Sequence, residues 1–217
     1  MRKGVEVPLV PGDRDQFEAV IGSGNSPQKH VGQVADCPAE RGWGRRHMAR
    51  VVIIGNASGG KSTLARELAS RRDLPLTELD QLLWQSGWKL TAPELYARRH
   101  AEIIKQESWV IEGLGTRDSI PERMARATEI ILIDLPLWVH FWLAAERQMS
   151  WADGGLSNVP ASASTAPPTK ELFKTMWAVD QEWMPSIRGM CDAAQQQGKT
   201  VLRLRSIDDL DAFTRSL

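Results

Sequence analysis

Residues 51–64 constrain the fold more than any other part of the chain. Val51-Val52-Ile53-Ile54 is a run of four β-branched residues and reads as a short buried strand. It enters Gly55-Asn56-Ala57-Ser58-Gly59-Gly60-Lys61-Ser62, with the spacing G-x-x-x-x-G-K-S, followed by Thr63 and the helix-forming run Leu64-Ala65-Arg66-Glu67-Leu68-Ala69. Glycines in these places let the backbone curl until its N–H groups point inward at oxyanions. The Lys61 ammonium is expected to reach the β- and γ-phosphates of a nucleotide, and the Ser62 hydroxyl to hold Mg²⁺. The N-terminus of the next helix adds partial positive charge behind them. Gly55, Asn56, Ala57, Ser58, Gly59, Gly60, Lys61, Ser62 and Thr63 are therefore the expected binding set for ATP with Mg²⁺. The competing reading is a Gly-rich turn with an exposed lysine, which the strand before and the helix after argue against.

The chain has 217 residues, enough for one α/β domain and an appendage. Its 27 basic residues balance 27 acidic ones, which disfavours sequence-independent binding of nucleic acid. The sequence has no apolar run of about 18 residues, so no membrane span is expected. Met1-Arg2-Lys3 is not followed by an apolar stretch, so no secretory signal is expected either. Cys37 and Cys191 lie far apart and read as reduced thiols of a cytoplasmic protein. His30, His47, His100 and His140 are scattered, as surface or packing residues are.

Residues 1–48 are rich in Gly, Pro, Asp, Arg and Gln and are expected to be disordered, with Met48 a candidate start of the native protein. Residues 49–217 read as one domain in which strands and helices alternate. Strands are expected at 51–54, 74–79, 109–111, 129–134 and 199–204. Short, fully apolar strands alternating with helices imply an α/β fold, a parallel sheet covered on both faces. Thr91-Ala92-Pro93-Glu94 reads as a capping box, and Ser206-Ile207-Asp208-Asp209 as the cap of a last helix. Residues 150–169, rich in Gly, Ser, Thr and Pro, break the alternation and read as a lid. A helix from about Lys170 to Gln197 follows, with Leu172, Phe173, Met176, Trp177, Trp183, Met184, Ile187, Met190 and Cys191 on one stripe and a kink at Pro185.

Asp80, Glu112 and Asp134 fall at the C-terminal ends of strands, where open α/β sheets hold ligands. A phosphotransferase needs one carboxylate to order Mg²⁺ and often another to orient or deprotonate the attacking hydroxyl. Asp80 and Glu112 suit those roles if their strands flank the first. The alternative is that they cap the following helices. Asp134, before Leu135-Pro136, reads as structural. Arg117, in Glu112-Gly113-Leu114-Gly115-Thr116-Arg117, is placed to grip a phosphate or carboxylate of an acceptor. Trp84 and Trp88 flank a turn beyond Asp80 and either stack on a planar substrate or pack the loop down.

These residues resemble the adenylate-kinase-like P-loop NTPases of the topology modulation protein family. The resemblance rests on the P-loop, Glu78-Leu79-Asp80 with Leu83-Trp84 and Gly87-Trp88, Trp109-Val110-Ile111-Glu112-Gly113 with Arg117, and Ile133-Asp134-Leu135-Pro136 with Trp138. It implies a three-layer sandwich with a five-stranded parallel sheet of order 2-3-1-4-5, MgATP, and a closing lid. Kinases of this broader class carry arginines seven and eleven residues beyond the Pro, where this chain has Leu143 and Arg147, and the family's arginine just after the Pro is here Leu137. The lid side otherwise offers Lys170 and Lys174. The expectation is a kinase-like phosphotransferase acting on a small-molecule acceptor. Its catalytic residues are Lys61, Asp80, Glu112, Arg117 and Arg147, and Ser62 and Glu112 serve the metal. The alternative is a regulatory ATPase with little or no kinase activity.

Overall fold

The computed structural model describes residues 48–86, 89–153 and 168–217. The expected N-terminal extension, Trp88 and most of the expected lid lie outside the described residues.

The first strand, β1 (Arg50–Gly55), leads through the Gly-rich loop into α1 (Lys61–Arg72). Then come β2 (Leu76–Glu78), the short α2 (Leu79–Leu83), a hairpin of β3 (Trp84–Gln85) and β4 (Lys89–Leu90), and α3 (Pro93–Ile104). β5 (Trp109–Glu112), α4 (Ser119–Arg126), β6 (Glu129–Ile133) and α5 (Leu137–Ala152) follow. After the lid segment come α6 (Thr169–Ala178), a π turn (Val179–Trp183), α7 (Met184–Gln196), β7 (Thr200–Leu204) and α8 (Ile207–Ser216).

Five strands form one parallel sheet in the order β2-β5-β1-β6-β7. With the hairpin set aside, that is the expected 2-3-1-4-5 arrangement of a P-loop sandwich. Alternate side chains of β1 point to opposite faces, and both faces are covered. Val51 and Ile53 pack with Leu64 and Leu68 of α1 and Phe213 of α8. Val52 and Ile54 pack with Ile111, Ile130, Met184 and Ile187 on the other side. Each such side chain, fully removed from water, contributes roughly 1.5–3 kcal/mol. Burial on both faces is why the strands lack polar alternation. The register sets Glu112 opposite both Ile53 and Glu78, so β2 and β5 end level and β1 runs two residues further, to Gly55.

Several local expectations are corrected. β2 is only three residues long and ends at Glu78, so Asp80 follows it in the first turn of α2, two residues past the strand. Thr91 is not a cap. The N-cap of α3 is Ala92, and the Thr91 N–H closes the hairpin by donating to the Leu83 carbonyl at 2.8 Å. The helix expected over 170–197 is broken by the π turn, and Pro185 sits in the first turn of α7, where no N–H is needed. Trp177 leaves the apolar stripe and is 50% exposed. The Ser206 cap is complete: the Asp209 N–H donates to Ser206 Oγ at 3.0 Å, and the Ser206 N–H to Asp209 Oδ2 at 3.1 Å. Among the described residues no helix is long and apolar enough to cross a membrane.

Candidate active site

The Gly-rich loop is shaped by what stands behind it. A methyl group added at Gly59 would lie 2.7 Å from His140 Cε1 and 2.9 Å from Ile133 Cγ2, so only glycine fits. Gly60 has φ +80°, a left-handed conformation that glycine adopts without strain. His140 of α5 is buried, and its Nδ1–H donates to the Ala57 carbonyl at 2.8 Å. Burial lowers its pKa to about 4, so the ring is neutral near pH 7. Sequence gave no sign of this role, because a single His on an apolar helix has no partner within local reach. Gly59→Ala is expected to push the loop off His140 and to cost roughly 1–3 kcal/mol of stability, with loss of nucleotide binding. Thermal melting and titration with MgADP would measure both.

Asn56 and Lys61 bond to the framework. The buried Asn56 side chain accepts from the Ala57 N–H at 2.8 Å and donates to the Met176 carbonyl at 2.7 Å. Lys61 Nζ donates back to the Asn56 carbonyl at 2.7 Å. Ser58 Oγ is buried without a hydrogen-bond partner.

Beyond the loop lies a cleft of about 890 Å³ over the C-terminal ends of the strands. Ser62, Asp80, Glu112, Arg117 and Arg147 all line it. Glu112, at the end of β5, is 3% exposed and accepts a hydrogen bond from the Ser62 hydroxyl at 3.0 Å. Burial raises its pKa, against the opposing pull of Lys61 and the Ser62 bond. Asp80 meets solvent through the cleft, yet the surrounding walls desolvate its carboxylate enough to raise its pKa, against Lys61 and Arg147. Lys61 is lowered by burial, although Glu112 and Asp80 favour its charge. Desolvation thus leads for all three groups, as in sites built to meet further charge.

Arg147 enters from α5 with its guanidinium 5.0 Å from the Trp151 ring centre. Its buried Nε has no hydrogen-bond acceptor. Burial lowers its pKa, and Asp80 is the charge that opposes this. Lys174 does not face the cleft. It lies 3.7 Å from Glu171, and α6 offers the cleft Glu171, Leu172 and Thr175 instead.

Arg117 follows a loop that is pinned from below. Arg123 of α4 is completely buried and donates to the Gly113 carbonyl at 3.0 Å, the Leu114 carbonyl at 2.7 Å and Ser119 Oγ at 3.0 Å. Burial lowers its pKa to about 10, so it stays charged near pH 7. Tyr96 completes the support, its hydroxyl 3.2 Å from Ser119 Oγ. Arg117 itself is exposed and donates to the Glu182 carbonyl at 3.3 Å. Neither Arg123 nor Tyr96 was legible from sequence, since an arginine on a short amphipathic helix reads as a surface residue. Arg123→Ala strands two carbonyls and is expected to destabilise the fold by about 3 kcal/mol, seen as a lowered melting temperature.

Asp134 pairs with Arg188 at 2.9 Å and does not line the cleft, in keeping with a structural part. Trp84 lines the cleft. Among the described residues no three His, Cys, Asp or Glu side chains form a metal cage.

No protein-family model and no curated protein sequence matches this chain. Solved structures that it resembles include a gluconokinase from Sinorhizobium meliloti 1021, at 15% identity over 79% of this chain and 90% of that one, TM-score 0.47. A shikimate kinase from Bacteroides thetaiotaomicron shares 13% identity over 77% of this chain and 94% of that one, TM-score 0.41. A shikimate kinase from Aquifex aeolicus vf5 shares 19% identity over 64% of this chain and 96% of that one, TM-score 0.35. Likenesses of this size carry no argument about the chemistry of this chain.

Proposed function

We propose that the chain is an ATP-dependent small-molecule phosphotransferase with Mg²⁺, similar to the topology modulation proteins. The observation that carries this reading is the convergence of Ser62, Asp80, Glu112, Arg117 and Arg147 on one cleft at the mouth of the Gly-rich loop. The residues fit a bound MgATP in three respects. Gly59 packs so closely on His140 and Ile133 that only glycine fits the loop's curl, Arg147 Nε is an orphaned buried donor, and two desolvated carboxylates await a counter-charge. Gly55 to Thr63 would hold the phosphates, and Ser62 with Glu112 would hold Mg²⁺ and its waters. The bound nucleotide supplies the phosphoryl group. Asp80 orients the acceptor hydroxyl and takes its proton at the carboxylate. Arg117 grips an anionic group of the acceptor, and Arg147 and Lys61 stabilise charge on the transferring phosphoryl. The test is ADP release from MgATP with nucleoside monophosphates, nucleosides and small hydroxylated metabolites offered as acceptors. Stimulation by one acceptor class supports the reading, and none across the panel contradicts it.

One observation favours the regulatory-ATPase alternative. Past α5, the helix that follows the lid presents a carboxylate, Glu171, to the cleft rather than a cation. Tight MgATP binding without acceptor-stimulated turnover would support that second reading.

A further inference from the structure

We propose that Asn56 is a positioning residue for the acceptor side of the cleft, acting through the π turn at Val179–Trp183; this rests on the phosphotransferase reading. Asn56 stands in the phosphate loop, and its side chain ties that loop, at the Ala57 N–H, to the Met176 carbonyl of α6. The amide is 1% exposed and matched at both ends, so its orientation is fixed. Its donor end meets the carbonyl of Met176, at the point where α6 gives way to the π turn. There the helical ladder changes step. The Val179 N–H turns back to the Met176 and Thr175 carbonyls, and the Met184 N–H reaches the Val179 carbonyl five residues back. Pro185, which has no N–H and would crowd the carbonyl four residues back, keeps the ladder out of step here, and the turn's position against the loop is what remains to be held. The Asn56 amide is placed to do so.

The π turn in turn touches the other parts of the site. The side chains of Val179 and Trp183 line the cleft. The Glu182 carbonyl accepts from Arg117, the residue assigned to the acceptor's anion. Asp180 lies 3.9 Å from Arg188, which pairs with Asp134 beyond β6. Without the Asn56 donor, the Met176 carbonyl keeps the Val179 N–H, but the end of α6 is no longer tied to the loop. Because Pro185 bars a plain α-helix here, the released turn shifts as a unit against the loop. Trp183 and the Glu182 carbonyl would then leave the cleft wall and Arg117.

Asn56→Asp tests this in the full chain. It keeps an oxygen facing the Ala57 N–H and removes the amide donor toward Met176, and Asn56→Ala, which adds no charge beside the phosphates, is measured with it. Hydrogen exchange of the Val179–Met184 amides is expected to quicken about tenfold. The KM for the acceptor is expected to rise about five- to tenfold, by more than the KM for ATP. In the unaltered chain, MgADP is expected to slow exchange at the same amides, a measurement that needs no variant and stands if Asn56→Asp fails to fold. Unchanged exchange in both variants, no effect of MgADP, or, in Asn56→Ala, a KM for ATP that rises as much as that for acceptor would overturn the proposal. If no acceptor is turned over, the phosphotransferase reading falls by itself and the exchange results alone decide the role of Asn56.

Discussion

Lys61→Ala is expected to lower MgATP-dependent turnover by about 10²–10³-fold, the usual loss on deleting a charge aimed at a transition state. The fold should survive. Lys61 Nζ donates to a carbonyl of its own loop and holds no other element in place. Burial already disfavours its charge more than Glu112 and Asp80 favour it, so truncation removes a desolvation cost along with two attractions. Cooperative melting close to that of the parent, with turnover nearly abolished, is the expected pair of results. Unchanged turnover would remove Lys61, and the loop with it, from the chemistry.

Asp80→Asn is expected to lower kcat/KM by about 10²–10⁴-fold, the range for losing a positioned base, while making the protein more stable at neutral pH. The stability effect follows from the direction of the pKa. Burial raises the folded-state pKa of Asp80 above its ordinary 3.8. The folded chain therefore holds that proton more tightly than the unfolded chain, and ionising the group subtracts from stability. The subtraction is absent below about pH 3.8 and complete once pH exceeds the raised folded value. The amide cannot ionise, so the variant's gain in melting temperature should be largest at pH 8 and shrink as pH falls toward 4. Glu112, raised from 4.5 by burial, behaves with the same sign. The parent's kcat/KM should fall as pH drops through the raised Asp80 value, because the base is then protonated. A variant that is inactive but no more stable at pH 8 would mean that the carboxylate is not desolvated in the free protein.

The parts of this fold legible from sequence are those whose cause is local. The loop at Gly55–Ser62 needs glycines at fixed spacing, and the strand and helix around it follow from β-branching and helix propensity. The Ser206–Asp209 cap is a four-residue signal and is complete in the structure. Asp80 and Glu112 were singled out because strand ends are where such sheets hold ligands, and Arg117 because the glycines before it bring backbone close to a ligand; all three line the cleft. What sequence missed is set by tertiary contact. Thr91 has the composition of a cap, but its backbone is claimed by Leu83 across the hairpin. The residues at 170–197 have helical periodicity, and Pro185 marks where it is disturbed, but nothing local announces that the Met176 carbonyl will also accept from Asn56, 120 positions away. Arg123 and His140 look like surface and packing residues until the loops they hold are folded onto them.

The central claim is transfer rather than hydrolysis, and the fate of the γ-phosphoryl group tests it most directly. The protein is incubated with MgATP and each acceptor of the panel in turn, and the products are read by ³¹P NMR. A phosphomonoester resonance on the acceptor, matching ADP one for one, is the expected result. Inorganic phosphate alone, at a rate indifferent to the acceptor, would contradict it.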